Sequence, residues 1–312
     1  MARRIVLDVD AGVDDALAVV LAFRSPELQV EAVTTVAGNA EVSCSTRNVQ
    51  LVVQMLQPPV SSKIAQGSAR PLHRALETAP QVHGRDGLGN VASQYPRPRV
   101  PVVRERAVDV LLNVARQHPH KVTLVATGPL TNIAKAFLKS RKVFALFREL
   151  IIMGGAFYRP GNTGPLAEFN MFVDPEAAAI VLTSGQRITL VPLNVTEMAL
   201  LLRSDLTPRA VRRSRFMKFI EKFTTFTMKY HQRTEGFHGL YLHDPLTLGV
   251  AIDRSLVRCR KLHVDVETRS VLTRGLTIAY ARDDSQRKPI IDVAFEVDAN
   301  RFLKLFRSRV LQ

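Results

Sequence analysis

Short apolar runs alternate with longer segments of helical composition along the first two thirds of this chain. Aliphatic and β-branched residues predominate at positions 4–7, 28–36, 121–125, 150–152 and 187–191, and segments with the spacing or composition of a helix follow most of them. Such runs indicate buried strands, and their alternation with helices is typical of β-α-β units. We therefore predict an α/β fold with a mainly parallel central sheet flanked by helices.

The last third of the chain predicts one long helix and a group of further strands. Positions 208–231 have the apolar spacing of an amphipathic helix, and a stripe of phenylalanines along it is interpreted as core or subunit packing. Additional strands are predicted near 261–267, 276–281 and 290–297, before a closing helix at 300–309. No linker or repeat divides the sequence, so residues 1–312 are predicted to form a single domain with C-terminal additional strands.

The composition narrows the class of protein. With 312 residues, 46% of them hydrophobic, the chain can bury a large core, and no apolar run approaches the length of a membrane span. Too few apolar residues precede Asp8 for a signal peptide, so a soluble, cytoplasmic protein with no membrane partner is expected. The net charge is +15, but the basic residues are dispersed without a recognisable binding motif, so a nucleic-acid partner is not expected. Cys44 and Cys259 are interpreted as small core residues.

Four carboxylates cluster where the first predicted strand turns into the first helix. Asp8, Asp10, Asp14 and Asp15 lie within eight residues, and Gly12 between them allows a tight turn. Acids this close repel one another unless a cation or bound hydroxyl groups compensate, and clustered carboxylates suit Ca²⁺ better than Zn²⁺. The structural alternative makes Asp14 a helix cap and Asp8 a solvated strand end. The carboxyl end of a first strand is also where α/β sheets place ligands.

Further polar residues follow other predicted strands. Asn39 comes after the second strand, where it would either cap the next helix or offer its amide to a ligand. The segment 161–170 holds too many amides and acids for a structural turn. Its side chains Asn162, Glu168 and Asn170 suit the hydroxyl groups of a sugar, because each can accept a hydrogen bond and the asparagines can also donate.

The decapeptide LDVDAGVDDA at 7–16 resembles the N-terminal signature D-x-D-x-G-x-D-D-A of the inosine-uridine preferring nucleoside hydrolase family. Four later segments resemble the family as well: HGRDGLG at 83–89, TGPLTN at 127–132, GNTGPLAEFN at 161–170 and HDP at 243–245. The resemblance extends over nearly the whole chain. One departure is Ala11, where many members have proline, and the missing ring is expected to loosen the turn without removing a ligand.

The resemblance implies a hydrolase that cleaves the N-glycosidic bond of ribonucleosides and releases free base and ribose. Calcium would be the cofactor, bound by the side chains of Asp10, Asp15 and Asp244 and by the carbonyl of Thr127. The ribose would be held by six further residues: Asp14, Asn39, Met153, Asn162, Glu168 and Asn170. Asp10 would accept a proton from the attacking water, and His243 would donate one to the departing base near neutral pH.

The part of the sequence that would contact the base is less distinctive. His83, Tyr230 and His238 lie where the family places or varies base contacts. The chain has no tryptophan, which argues against the branch of the family that clamps purines between tryptophans, so a pyrimidine-preferring or broad-specificity enzyme is expected. The resemblance also implies a small-molecule nucleoside as partner and assembly as a homodimer or homotetramer.

Two alternatives compete with this interpretation. A haloacid-dehalogenase-like phosphatase also places D-x-D after its first strand and binds Mg²⁺, but here two more acids follow immediately, at Asp14 and Asp15. A nucleic-acid-binding protein on an inactive hydrolase scaffold would explain the charge of +15, yet it would not explain why every expected ligand position is filled.

Overall fold

A computed structural model of the protein describes residues 2–58, 62–206, 214–280 and 290–312. Its strands, in chain order, are β1 (Arg3–Val9), β2 (Leu28–Thr35), β3 (Lys63–Gln66), β4 (Val122–Ala126), β5 (Glu149–Met153), β6 (Ile188–Val191), β7 (Leu200–Leu202), β8 (Gly239–Tyr241), β9 (Val257–Leu262), β10 (Val264–Val266), β11 (Thr277–Ala279) and β12 (Ile291–Val297). A central sheet runs in the order β3-β2-β1-β4-β5-β6-β12-β9, and β10 with β11 and β7 with β8 form two small antiparallel pairs.

The central sheet is parallel except at one edge. Neighbouring strands from β3 through to β12 pair in parallel, and β9 runs antiparallel to β12. The prediction of a mainly parallel sheet with additional C-terminal strands is therefore confirmed. Because the parallel strands share one direction, the loops after β1, β2, β4 and β5 all leave the same edge, which brings the predicted polar segments together.

Helices cover both faces of this sheet. They are α1 (Val13–Arg24), α2 (Val42–Leu56), α3 (Pro80–His83), α4 (Ala107–Gln117), α5 (Thr131–Lys139), α6 (Arg141–Phe144), α7 (Phe169–Val173), α8 (Pro175–Leu182), α9 (Leu193–Thr196), α10 (Arg215–Thr234), α11 (His243–Ile252) and α12 (Ala299–Val310). Along β1, Ile5 and Leu7 pack into the core beneath α1, α2, α10, α11 and α12, whereas Val6 packs into the core beneath α4, α5 and α8. A strand with both faces buried reads as an unbroken apolar run, since successive side chains point to opposite faces.

The elements differ from the sequence predictions mainly at their ends. The long helix predicted from 208 is described as α10 from Arg215, and its predicted start lies outside the described residues. Its phenylalanines at 216, 219 and 223 are buried and the one at 226 is half-buried, so three of the four in the stripe pack in the core. The strand predicted at 261–267 is divided between β9 and β10, which belong to different sheets. Of the strand predicted at 276–281, the structure assigns Thr277–Ala279, and residue 281 lies outside the described residues.

The structure also shows the surroundings of the two cysteines and the character of the helices. Cys44 and Cys259 are free thiols that are half-buried, so neither is the fully buried core residue that the sequence suggested. None of the described helices is long and apolar enough to cross a membrane.

Candidate active site

A cavity of about 450 Å³ opens at the carboxyl edge of the sheet. Most of the predicted site residues line it: Asp14, Asn39, His83, Thr127, Met153, Asn162, Glu168, Asn170, Tyr230, His243 and Asp244. Asp10 and Asp15 are fully buried beside this surface. Residues from segments more than 200 positions apart in sequence therefore meet in one pocket.

Three carboxylates converge in this cavity from two helices. Asp14 and Asp15 lie in the first turn of α1, Asp244 lies in the first turn of α11, and one oxygen from each falls within 4.8 Å of the others. The cap positions of these helices are occupied by Gly12 and Leu242. The interpretation of Asp14 as a helix cap is therefore wrong, and Asp244 likewise lies past the cap position of its helix. The positive ends of two helix dipoles favour these charges.

Asp10 adds a fourth carboxylate, and burial makes the whole group costly when charged. Burial, followed by repulsion from Asp15, raises the pKa of Asp10 well above its ordinary value. The pKa of Asp244 is raised in the same way by burial and by Asp14, Asp15 and Asp10, and that of Asp14 is raised to about 7. Such a group is stable only when protons or a cation offset the repulsion.

The donor atoms of this group fit a hard cation. Asp10 Oδ1 and Asp14 Oδ1 are buried and have no hydrogen-bond partner among the described residues. The opposite oxygen, Asp10 Oδ2, accepts the backbone N–H of Asn39 at 2.7 Å, so the carboxylate is held while Oδ1 stays available. Oxygen donors in this number are the ligands that Ca²⁺ and Mg²⁺ take in proteins.

A hydrogen-bond network fixes Asp15 against the neighbouring strand ends. Its carboxylate accepts the Gly12 N–H at 2.9 Å, the Thr127 hydroxyl at 2.7 Å and the Asn39 side-chain amide at 3.2 Å. Helix α2 is capped at Glu41, so Asn39 does not act as its cap. The Thr127 carbonyl accepts the Asn170 amide at 2.7 Å and keeps a second lone pair for another partner.

Asp8, the remaining acid of the motif, is separate from this group. It is fully buried and accepts hydrogen bonds from Thr34 Oγ1 and from Asn132 Nδ2, the latter at 2.8 Å. Burial raises its pKa to about 7. The interpretation of Asp8 as a solvated strand end is therefore wrong: it joins β1 to β2 and to α5 beneath the cavity.

The loop before α7 supplies a second set of polar groups. Glu168 caps α7 by accepting the N–H groups of Asn170 and Met171 at 2.9 and 3.2 Å, and it also accepts that of Gly155 at 3.1 Å. Burial raises the pKa of this carboxyl group, and the three hydrogen bonds oppose the shift. Asn162 Oδ1 accepts the N–H of Phe169 at 3.0 Å, which braces the loop against the helix.

Two of the imidazoles that line the cavity, those of His83 and His243, are partly buried, and this burial favours their neutral form. His83 Nδ1 accepts the backbone N–H of Val13 at 3.1 Å, which places the ring proton on Nε2. Nδ1 is also 3.9 Å from Asp14 Oδ1, but an ion pair would require a proton where the Val13 N–H already points. Burial lowers the pKa of His83 and of His243 to about 3. This shift disfavours the protonated ring of His243, whose role as proton donor to the base stays a prediction.

Of the three residues expected to contact the base, His83 and Tyr230 line the cavity and His238 does not. His238 is exposed and lies outside the lining, on the turn between α10 and β8. His231 lines the cavity instead, stacked on Phe237 at 5.2 Å between ring centroids, with Nδ1 3.1 Å from the Gly239 carbonyl. Thr227, Tyr230 and His231 share one helix face at i, i+3 and i+4, a spacing that could have identified His231.

Two side-chain pairs at the mouth of the cavity were not anticipated. Arg159 forms an ion pair with Glu197 at 2.6 Å, and the hydroxyl of Tyr241 donates to Glu235 Oε2 at 2.6 Å. All four residues line the cavity. Arg159 and Glu197 lie in loops remote from each other in sequence, whereas Glu235 follows α10 and Tyr241 ends β8, and none of the four belongs to a recognised motif.

The site can be compared with known proteins. The chain is 37% identical to the pyrimidine-specific ribonucleoside hydrolase RihA of Salmonella newport, over 99% of both chains, and 32% identical to uridine nucleosidase 1 of Arabidopsis thaliana, over 99% of this chain and 94% of the relative. It is 35% identical to the inosine-uridine preferring nucleoside hydrolase of Crithidia fasciculata, over 97% and 95% of the two chains.

Solved structures of nucleoside hydrolases superimpose on nearly the whole chain. A purine-preferring ribonucleoside hydrolase from Gardnerella vaginalis superimposes with a TM-score of 0.92 at 30% identity, covering 99% of this chain and 98% of the other. The plant nucleoside hydrolase PpNRh1 gives 0.91 at 32% identity, covering 100% and 99%. The model of the family described as inosine-uridine preferring nucleoside hydrolase matches residues 5–304. The chain therefore belongs to the inosine-uridine preferring nucleoside hydrolase family, and it is an enzyme that hydrolyses the N-glycosidic bond of ribonucleosides.

Proposed function

We propose that this ribonucleoside hydrolase depends on calcium and prefers pyrimidine nucleosides or accepts a broad range of bases. The observation that carries the metal part of the proposal is the convergence of Asp14, Asp15 and Asp244 within 4.8 Å of one another. The donors are all oxygen atoms, to which the Thr127 carbonyl and water would add, and Ca²⁺ takes about six to eight such ligands. A zinc site would instead use histidine or cysteine.

The free oxygen atoms of the acid group define the roles of individual residues. Asp10 Oδ1 has no hydrogen-bond partner in the described part of the chain while Asn39 holds Oδ2, so Asp10 is oriented to accept the proton of an attacking water. Asp14 Oδ1, which also lacks a partner there, is available to a ribose hydroxyl. When bound, the cation would hold the water and two ribose hydroxyls and lower the pKa of the water. Asp10 is then both ligand and base, a dual role that its two differently engaged oxygens permit.

The ribose would lie between the acid group and the loop before α7. Asn170 and Asn39 would hold the hydroxyls near Asp14, while Asn162 and Glu168 would take the 5′-hydroxyl. Met153 lines the cavity between them. Cleavage of an N-glycosidic bond develops positive charge on the sugar, so a wall of fixed carboxylates and amide dipoles stabilises the transition state more than the ground state.

The departing base would be met by hydrogen-bond donors rather than by an imidazolium acid. His83 carries its proton on Nε2, because Nδ1 accepts from Val13. His243 Nδ1 pairs with Thr196 Oγ1 at 2.8 Å, which orients its ring toward the cavity that it lines. A neutral imidazole donates one N–H hydrogen bond to the negative charge that develops on the base. Tyr230 and His231 would flank the base.

The names of the relatives do not agree on one base preference. RihA is named pyrimidine-specific and the Arabidopsis relative a uridine nucleosidase, whereas the Gardnerella enzyme is named purine-preferring. The absence of tryptophan from this chain removes the side chain best suited to clamp a purine. We therefore place uridine and cytidine first among the substrates.

The proposal is tested by a nucleoside panel with and without chelator. The enzyme, dialysed against EDTA, would be assayed for released ribose with uridine, cytidine, inosine and adenosine, then again after Ca²⁺ or Mg²⁺ is added. We expect activity to fall at least about 100-fold without metal and to return with Ca²⁺. Activity that persists after chelation would contradict calcium dependence, and inosine or adenosine turned over faster than both pyrimidines would contradict the base preference.

A further inference from the structure

A buried asparagine outside the cavity joins the two loops on which the site depends. Asn48 lies in α2 and is 1% exposed. Its side-chain amide donates to the Ala11 carbonyl at 3.0 Å and to the Asp86 carbonyl at 2.8 Å. Ala11 stands between Asp10 and Gly12, and Asp86 stands three residues after His83. One NH₂ group thus links the acid loop to the loop that carries the imidazole.

The chemistry of the two partners fixes the orientation of this amide. Both are carbonyl oxygens, which accept only, so the nitrogen of Asn48 must face them and both of its protons are used. The other end of the group, Asn48 Oδ1, is buried and has no partner among the described residues. Asn48 therefore leaves its buried oxygen without a hydrogen bond while its nitrogen donates two. The two donated bonds stabilise this orientation by more than the unpaired oxygen costs.

On the acid side, the bond falls on a strained part of the backbone. Ala11 has φ +28°, which side-chain-bearing residues rarely adopt and which a proline ring cannot reach. The absence of proline at position 11 therefore does more than loosen the turn, because it permits a backbone conformation that proline could not adopt. The next residue, Gly12, has no room for a Cβ atom, which would lie 2.6 Å from Asn39 Nδ2 and 2.7 Å from His83 Nδ1. A strained turn with such close neighbours persists only when other bonds hold it.

On the imidazole side, the bond anchors a compact turn. The Asp86 carboxylate accepts the N–H groups of Leu88, Asn90 and Ala92, each at 2.8 Å, and the Gly89 N–H donates to the His83 carbonyl at 2.7 Å. The turn is therefore stiff in itself. Leu88 anchors the turn in the core, and among the described residues its direct hydrogen-bonded links to the acid loop are the contact of His83 with Val13 and the amide of Asn48.

From these contacts we propose that Asn48 is a positioning residue that sets His83 and the acid loop in register with each other. It acts through Ala11 and Asp86 and touches neither substrate nor cation. The inference rests on the proposed roles of the acid loop in cation binding and of His83 as a donor to the base. Losing the amide protons would let the strained turn at Ala11 relax and would free the His83 loop to shift away from it.

The test compares Asn48→Leu, which keeps the number and branching of the side-chain heavy atoms and removes both donors, with Gln50→Leu. Gln50 is two residues along the same helix, is partly buried and also donates its amide to a backbone carbonyl, that of Val100, away from the site. Calcium affinity is measured by titration calorimetry on folded protein. We expect Asn48→Leu to weaken Ca²⁺ binding by about 10- to 100-fold and Gln50→Leu to leave it unchanged.

A double-mutant cycle supplies a readout that needs no metal titration. The ratio kcat/KM for uridine is measured for the wild type, Asn48→Leu, His83→Ala and the double variant. If Asn48 acts by placing His83, its substitution should cost roughly tenfold less when His83 is already absent. Should Asn48→Leu not fold, Asn48→Ala, which removes both donors without adding bulk, takes its place and is expected to give the same effects.

The outcomes separate the inference from the function on which it rests. Additive effects in the cycle, or calcium affinity and kcat/KM in Asn48→Leu that match those of Gln50→Leu, would overturn the positioning role. A wild-type protein whose calcium binding is absent, or is unaffected by Asp15→Asn, would instead contradict the proposed metal site, and the cycle with His83 alone would then decide the role of Asn48.

Discussion

The floor and the mouth of the cavity are built on different principles. The floor consists of Asp10, Asp14, Asp15 and Asp244, which are buried and anchored by helix ends and backbone N–H groups. The mouth consists of side-chain pairs, such as Arg159 with Glu197, that are partly exposed and hold one another. Fixed backbone donors give a rigid floor, whereas pairs between loops can be exchanged without disturbing the fold.

This difference matches what each end must recognise. Every ribonucleoside presents the same sugar, so the floor can be rigid and specialised, although its crowded carboxylates destabilise the protein without a counter-charge. The base varies, and partly exposed pairs at the mouth contribute about 1 kcal/mol or less each to stability, so they can change at little cost. Changes at the floor should therefore abolish activity, and changes at the mouth should redirect it.

The largest effect is expected from a single atom exchange at the floor. Asp244→Asn keeps the shape of the side chain but removes one of the three converging charges, and we expect kcat for uridine to fall on the order of 10³-fold. Released ribose at saturating uridine is the measurement. Asp109→Asn, which removes an exposed carboxylate that pairs with Lys139 on the surface, serves as control. If kcat fell only a few-fold in Asp244→Asn, the floor would be no more sensitive to substitution than the mouth, which would contradict the proposed difference between them.

Removal of metal should destabilise the floor in a pH-dependent way. The pKa of Asp14 is raised to about 7 by burial and by Asp15, so the folded state holds a proton that the unfolded chain releases near pH 4. Stability from that proton is full below pH 4 and is lost as pH rises toward 7. We expect EDTA to lower Tm on the order of 5 °C more at pH 8 than at pH 5. Asp14→Asn should shrink this difference, and equal shifts at both pH values would show that repulsion does not limit the metal-free protein.

The smallest effect is expected at the mouth. Tyr241→Phe removes the hydroxyl that donates to Glu235 at 2.6 Å and leaves the aromatic cluster in place. We expect the ratio of kcat/KM for cytidine to that for uridine to change by less than about tenfold, while kcat for the better substrate stays within about threefold. Tyr95→Phe, where the ring packs against Phe219 far from the mouth, should change neither. A 100-fold loss for all bases in Tyr241→Phe would assign the mouth a role in catalysis instead.

Local sequence was a good guide wherever one segment carries both the fold and the chemistry. The turn from β1 to α1 and the loop before α7 each place several polar side chains within ten residues, so their convergence on a ligand could be predicted from spacing and from resemblance. Asp174 followed by Pro175 is likewise typical of a helix start, and the Asp174 carboxylate caps α8 by accepting the N–H of Ala177 at 3.1 Å. In these segments the backbone alone fixes which side chains are neighbours.

The amino-acid sequence by itself determined the alternation of strands and helices, the acid-rich floor and the family, because these depend on period and spacing along the chain. Only the tertiary structure decided that His231 rather than His238 reaches the cavity, that burial favours the neutral form of His83 and His243, and that the Asn48 amide joins two loops. Segments remote in sequence determine how deeply a side chain is buried and which hydrogen-bond partner it meets. Burial and partner in turn determine its protonation and its orientation.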